Sequence, residues 1–197
     1  MGKTDQIARF MHLKLNWLMS GLPDNTARAS FARLRRGAGH LPGEIPQIWG
    51  EFLLDLPEEL MGSKTKISSA EWSVYIALTL FAMHQQGKDR KTQPMHKEGI
   101  SLGAAANRLI KSEDDRQRIA NRFYPAATAS DIQELSNRLR GLVTILKSED
   151  IPLDYVMLAK DLYLFQYPDH NATVKLNWGR DFCKIRKATK IAEAEDA

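Results

Sequence analysis

The chain has 197 residues, of which 43% are hydrophobic and 26% charged, a composition typical of a globular protein with a sizeable core. One cysteine, Cys183, excludes an intramolecular disulfide, and the longest apolar run, residues 72–83, is too short to span a bilayer. The net charge is +4, and the first fifty residues hold 7 Lys/Arg against 3 Asp/Glu. The N-terminus lacks the apolar segment of a secretory signal, so we expect a cytoplasmic protein without membrane contacts.

The beginning of the chain has the periodicity of two amphipathic helices. Apolar residues spaced along one helical face predict a helix over residues 5–19. A second helix is expected over residues 24–36, with Asp24 as its N-cap and Gly37 in the position that follows a helix.

The next stretch predicts the central helix of the N-terminal half. Residues 45–60 predict a short helix that stops near Pro57. Ser68 and Glu71 then form a capping-box pattern ahead of a helix over residues 69–85. Because that helix is apolar nearly all round, we expect its neighbours to surround it.

A polar, basic segment with Gly and Pro, residues 85–99, separates the two halves of the chain. We therefore expect an N-terminal helical domain over residues 1–86, a linker or loop over 87–99 and a C-terminal helical bundle over 100–197.

The C-terminal half again has helical periodicity throughout. Helices are predicted at residues 102–112, 114–124, 130–147, 153–167 and 171–187. Ser130 with Gln133 forms a second capping-box pattern, and Pro152 suits the first position of the following helix. No segment has a strand pattern, so the predicted fold is all-α, with two small helical bundles joined by a polar loop.

The chain carries little that indicates catalysis. The "GKT" at residues 2–4 lacks the upstream glycine and the strand of a phosphate-binding loop. No histidine has a partner at metal-ligand spacing, and no serine lies in a nucleophile elbow. We therefore predict a protein that is not an enzyme and has no catalytic residues, metal site or cofactor.

Arginine is concentrated at a few places where it could bind an anion. The candidates are Arg33, Arg35, Arg36, Arg116, Arg118, Arg122, Arg138 and Arg140. A planar guanidinium can donate two parallel hydrogen bonds to a phosphate. At 100° per residue, Arg33 and Arg36 are expected to project away from the apolar stripe of their helix, with Arg35 beside it. A solvated helix face is the alternative interpretation.

Several stretches together resemble one protein family. They are "ARLRRG" (32–37), "GISLGAAANRLI" (99–110), "DRQRIANRF" (115–123), "LSNRLRGLVTILKSEDIPLDYVMLAKDLYLF" (135–165) and "VKLNWGRDF" (174–182). In this order they are similar to CasB, the small subunit of Cascade, the type I-E CRISPR surveillance complex. The resemblance covers nearly the whole chain.

The resemblance implies an all-α, non-catalytic subunit that stabilises the R-loop in antiviral defence. The implied partners are guide RNA, target DNA, the large subunit, the backbone subunits and a second copy of the chain. Since guide pairing reads the sequence of the target, such a subunit needs only to hold nucleic-acid backbones.

The family's basic residues carry over to particular positions of this chain. The implied nucleic-acid contacts are Arg35, Arg36, Arg118, Lys175 and Arg180. Arg138 and Arg140 are alternatives for one further position, because this chain has Gly141 where some members have arginine.

Two other functions remain open. A free-standing helical DNA-binding regulator should have base-reading residues at the start of a recognition helix, whereas these arginines cluster at the end of residues 24–36. A purely structural subunit would instead pair its arginines with acidic protein partners.

Overall fold

The computed structural model describes residues 2–184, and within that range it contains α-helices and short helical turns but no β-strand. The first four α-helices are α1 (Lys3–Asn16), α2 (Asp24–Gly37), α3 (Trp49–Phe52) and α4 (Ser69–His84). The others are α5 (Leu102–Arg108), α6 (Glu113–Ala127), α7 (Ile132–Ser148), α8 (Tyr155–Phe165) and α9 (Pro168–Phe182). The predicted all-α class is confirmed.

The start of α2 differs from its prediction. Pro23 occupies the N-cap position and Asp24 is the first helical residue, with no capping hydrogen bond from the side chain. The Asp24 carboxylate instead accepts a hydrogen bond of 2.5 Å from Arg90 Nη2. At the other end, Gly37 is the last helical residue and Ala38 is the C-cap.

Between α2 and α4 the chain is less helical than predicted. Only α3 is α-helical, and Pro46–Ile48 and Glu58–Leu60 form 3₁₀ turns on either side of it. Prolines at the start of both turns explain this, because proline cannot donate the backbone hydrogen bond of a continuous helix.

The two predicted capping boxes have different outcomes. Ser68 Oγ accepts from Glu71 N at 2.9 Å, and Glu71 Oε2 accepts from Ser68 N at 2.7 Å, so the first capping box is confirmed. In α7 the N-cap is Asp131, which accepts from Glu134 N at 2.8 Å. The prediction of a box with Ser130 is therefore wrong by one residue.

The last two helices also begin at other residues than predicted. Asp154 caps α8 through the backbone N–H groups of Val156 and Met157, so Pro152 lies outside that helix. Helix α9 starts at Pro168 and ends at Phe182, and the last residues of its predicted span, 185–187, lie outside the described part of the chain.

Helix α4 lies at the centre of the fold. It packs against α1, α2, α7 and α8, and its residues are buried around its circumference, as its composition predicts. The Tyr75 hydroxyl donates to the Gly37 carbonyl at 2.9 Å, which joins α4 to α2. His84 Nδ1 and the Tyr155 hydroxyl lie 2.9 Å apart and join α4 to α8.

The segment between the two halves is tied to the rest of the chain. The Gln85 side chain donates to the carbonyls of Lys88 and Gln93 and accepts from the N–H of Met95, which is buried. Buried apolar side chains of both halves form one continuous cluster. The two halves therefore share one core, and the division into two domains stays a prediction.

Helices α8 and α9 enclose a carboxylate. The Trp178 indole N–H donates to Asp161 Oδ2 at 2.6 Å. Burial raises the pKa of Asp161 to about 6, although the hydrogen bond from Trp178 acts in the opposite direction. Because the charged form is disfavoured in the folded protein, stability is lost as pH rises from about 4 through 6.

Replacing Asp161 by Asn should raise the free energy of unfolding by about 1 to 2 kcal/mol above pH 7, since the amide oxygen still accepts from Trp178 without burying a charge. At pH 4 the variant and the wild type should be nearly equal. Urea denaturation between pH 4 and 8 measures both. An equal difference at all pH values would contradict the assignment of the raised pKa to this residue.

Candidate nucleic-acid interface

The C-terminal end of α2 presents exposed positive charge. Its buried face consists of Ala27, Ser30, Phe31, Leu34 and Gly37, which leaves Arg36 exposed. Among residues 2–184, the Arg36 guanidinium has neither an ion-pair partner nor a hydrogen-bond partner. Basic side chains in the last turn are also favoured by the helix dipole.

Arg140, on α7, lies at the same end of α2. A Cβ atom added to Gly39, just beyond α2, would lie 2.9 Å from Arg140 Cζ, so the guanidinium rests directly on this glycine. Gly39 has a φ of +95°, a conformation that glycine adopts readily. The fold thus brings Arg140 to Gly39, three residues after Arg36, across a separation of about one hundred residues.

Arg35, in the last turn of α2, is half-buried. Burial lowers the pKa of its guanidinium from the ordinary value. Lys147 is close enough to Arg35 and Lys88 that both contribute, after burial, to the lowered pKa of its ammonium group. The end of α2, residues 85–91 and α7 therefore form one basic surface, which we call the α2–α7 surface.

Arg33 has a different environment from the one predicted. Its Nε donates to Glu51 Oε1 at 2.6 Å, and its Nη2 lies 2.6 Å from the same oxygen and 3.1 Å from Ser30 Oγ. The Glu51 side chain is only 5% exposed, and that of Arg33 is 38% exposed. Arg33 thus neutralises a buried carboxylate on α3 instead of projecting freely into solvent.

Replacing Arg33 by Ala should lower the free energy of unfolding by about 2 kcal/mol, because the buried Glu51 loses the charge that compensates it. Replacing both residues by Met should recover most of that loss. Urea denaturation gives the free energy of unfolding of the wild type and of both variants. Arg36→Ala, an exposed residue on the same helix, is the control, and its free energy of unfolding should change by less than about 0.5 kcal/mol. A loss at Arg33 no larger than the control would contradict this role.

The predicted arginines of α6 are mostly paired along the helix. Arg116 contacts Glu113 at 3.2 Å, and Arg118 contacts Asp115 at 2.5 Å. The hydrogen bond from Arg118 is the main cause that lowers the pKa of Asp115 to about 2. Arg122 is exposed and has no partner among the described residues. Exposed pairs of this kind contribute little stability, so a phosphate could compete for them.

The remaining predicted residues have local partners. Arg138 pairs with Glu134 one turn away at 3.2 Å, whereas its neighbour Arg140 is the one that reaches α2. The Lys175 ammonium lies 5.1 Å from the centre of the Phe165 ring. Arg180 donates to the Asn177 side chain at 3.0 Å. The structure therefore gathers three of the predicted residues, Arg35, Arg36 and Arg140, at the α2–α7 surface.

The predicted set omits three lysines of the same surface, Lys88, Lys91 and Lys147. The stretch "QQGKDRKTQ" carries two of them, and its positive charge is the sequence feature that indicates an anion-binding role. Its lack of apolar periodicity instead indicated a linker. Arg90 holds this segment against the corner between α1 and α2, because its guanidinium donates to the carbonyls of Leu18 and Leu22 at 3.0 and 2.7 Å.

Two further properties limit the chemistry of the described residues. Between residues 2 and 184, no three His, Cys, Asp or Glu side chains are grouped closely enough to hold a metal ion. None of the described helices is long and apolar enough to cross a membrane.

The chain is similar to solved structures over nearly its whole length. CasB from Thermobifida fusca is 35% identical, with 91% of this chain and 98% of that chain covered and a TM-score of 0.75. CasB from Thermus thermophilus is 21% identical, with 92% and 98% covered and a TM-score of 0.66. M. ruber CasB is 23% identical, with 93% and 95% covered and a TM-score of 0.62. The last two similarities show the fold alone.

The family comparison gives the same result. No curated protein sequence matches the chain. The family model described as CRISPR-associated protein Cse2 matches residues 30–182, which include the second half of α2 and all the helices that follow it in the described part of the chain. The chain therefore belongs to the Cse2 family, also called CasB, and this membership supports a role as a small subunit of a CRISPR Cascade complex.

Proposed function

We propose that this chain is a non-catalytic small subunit of a type I-E Cascade complex that holds nucleic-acid backbone and stabilises the R-loop on target DNA. The observation that carries the proposal is that Arg35, Arg36 and Arg140 all belong to the α2–α7 surface and have no ion-pair partner among residues 2–184. Fixed positive charge on rigid helices attracts polyanions irrespective of base sequence.

The proposed partners follow from that role. They are guide RNA, target DNA, the large subunit, the backbone subunits and a second copy of this chain, in the cytoplasm. Guide pairing selects the target, so the subunit contributes affinity for strand phosphates and no base recognition.

A base-reading regulator is less compatible with this geometry. Such a protein reads bases with the N-terminal residues of its recognition helix. Here the first residue of α2, Asp24, is negatively charged and pairs with Arg90, whereas Arg35 and Arg36 lie in the last turn of the helix.

The experiment that tests the proposal is reconstitution of the complex with and without this subunit. The complete complex should bind guide-matched target duplex more tightly than the complex without the subunit, and this subunit should cleave neither strand in the presence of divalent metal. Nuclease treatment before a pull-down distinguishes nucleic-acid contacts from purely protein contacts. Equal target affinity of the two complexes would contradict the proposal.

A further inference from the structure

A cavity of 590 Å³ opens between α2 and residues 85–91. Its volume lies within the range of pockets that hold small ligands. Five basic residues contribute to its lining, namely Arg28, Arg35, Lys88, Arg90 and Lys91. Phe31 and Ala27, both buried, contribute apolar parts of its wall.

The two acidic residues of the lining are already engaged. Asp24 pairs with Arg90 at 2.5 Å. Asp89 accepts from the N–H groups of Lys91 and Thr92 at 2.9 and 2.8 Å and thereby closes the turn. Both carboxylates also attract nearby cations, Asp24 those of Lys91 and Arg28 and Asp89 that of Lys91, but the lining still holds five basic residues against these two acidic ones.

The remaining cations are only partly compensated. Lys88 pairs with Asp150, whereas Arg28, Arg35 and Lys91 have no ion-pair partner in the described part of the chain. Lys147 stands close to Arg35 and Lys88, and its ammonium group donates at 3.1 Å to the neutral amide of Gln86. Like charges held this close repel one another unless an anion joins them.

The walls of the cavity are held in place before any ligand binds. Gln85 fixes the turn through hydrogen bonds of 3.2 and 3.1 Å to the carbonyls of Lys88 and Gln93. Arg90, with a side chain 13% exposed, ties the same turn to the corner between α1 and α2. A preorganised site loses little conformational entropy on binding.

We propose that this cavity is a phosphate-binding site, in which Arg28, Arg35 and Lys91 hold one phosphate group. The inference rests on the proposed function, because a strand lying on the α2–α7 surface would supply that group as a phosphodiester. A free phosphate compound such as pyrophosphate offers the same chemistry, and the test separates the two sources.

The test uses the full chain and two probes, a fluorescent oligothymidylate and inorganic pyrophosphate. The cavity variant is Arg28→Gln with Lys91→Gln, both exposed residues outside the set predicted from the sequence. It should bind the oligothymidylate at least about fivefold more weakly than the wild type, with a salt slope smaller by up to about 0.7, since the site holds one phosphate. Pyrophosphate should compete with the oligothymidylate on the wild type and not on the variant.

The matched control is Lys64→Gln with Lys66→Gln, which removes the same charge. These exposed lysines precede α4, whereas the turn follows it, and a helix of 16 residues separates the two sites by about 24 Å. The control should bind both probes as the wild type does. If the double variant melts at a lower temperature than the wild type, Lys91→Gln alone, in an exposed turn, serves as a second variant. It should also lose affinity for the probes, by a smaller factor than the double variant.

The outcomes separate the cavity from the proposed function. If the cavity variant loses affinity for both probes, the cavity binds strand phosphate. If it loses affinity for pyrophosphate alone, the cavity binds a free phosphate compound. Equal losses in the cavity variant and the control, or no binding of either probe to the wild type, would overturn the cavity proposal. If the cavity variant binds normally while changes at Arg36 and Arg140 weaken target binding by the complex, the cavity proposal fails and the proposed function stands.

Discussion

Replacing Arg36 and Arg140 together by Glu should weaken target-DNA binding by the assembled complex at least about tenfold, which corresponds to 1.4 kcal/mol. Each change removes a cation of the α2–α7 surface and adds an anion that would repel phosphate. Loss of a good phosphate contact costs roughly 1 to 3 kcal/mol, so the tenfold figure is a lower bound. The measurement is titration of a guide-matched duplex against complexes that contain the wild-type or the variant subunit.

Folding and assembly should be little affected by that double change. Both side chains are exposed, so the change of stability should be about 0.5 kcal/mol, with a further loss of about 0.3 to 1 kcal/mol because a negative charge in the last turn of α2 opposes the helix dipole. Lys64→Glu with Lys66→Glu, before α4, is the matched control and should leave target affinity nearly unchanged. Failure of the Arg36 and Arg140 variant to enter the complex would show that these arginines contact a protein instead.

Replacing Gly103 by Ala should destabilise the folded chain by about 3 kcal/mol or more. At Gly103 a Cβ atom would lie 2.9 Å from the carbonyl carbon of Trp178 and closer still to its oxygen. Because these are backbone atoms of α9, no side-chain rotation can relieve the contact. Helices α5 and α9 would have to separate, at the expense of the packing around the buried Trp178 and Phe182.

Gly179→Ala provides the control on α9 itself. No atom lies within 4 Å of a Cβ placed there, so this change should be neutral or should stabilise the helix by up to about 1 kcal/mol. Urea denaturation of the two variants gives the comparison. Similar unfolding free energies for Gly103→Ala and Gly179→Ala would show that α5 and α9 do not approach so closely.

The parts of the fold that could be predicted are those that local patterns determine. Helix α7 is one example, since its apolar residues that recur at the helical period, Leu135, Leu139, Leu142, Val143 and Leu146, are all buried. The Ser68 capping box is another, because both of its hydrogen bonds join residues three positions apart. At α7, Asp131 and Ser130 are both good caps, and the pattern alone could not choose between adjacent residues.

The site was harder to predict because its geometry depends on distant contacts. The partner of Arg33 is Glu51, on the short helix α3 between two 3₁₀ turns. Arg140 reaches α2 only because α7 and α2 both pack against α4. The "GISLG" stretch, which contributed to the resemblance, has a packing role in the structure, since Ser101 caps α5 and bonds to Asp181 while Gly103 meets α9.

The α2–α7 surface is tested most directly by the salt dependence of target affinity. Complexes with wild-type subunit, with Arg36→Gln and Arg140→Gln, and with the control Lys64→Gln and Lys66→Gln are titrated over a range of salt concentrations. If both arginines contact phosphate, the slope of log affinity against log salt should fall by about 0.7 to 0.9 for each contact, and the control should keep the wild-type slope. A weaker affinity with an unchanged slope, or an equal change of slope in the control, would contradict phosphate binding at this surface.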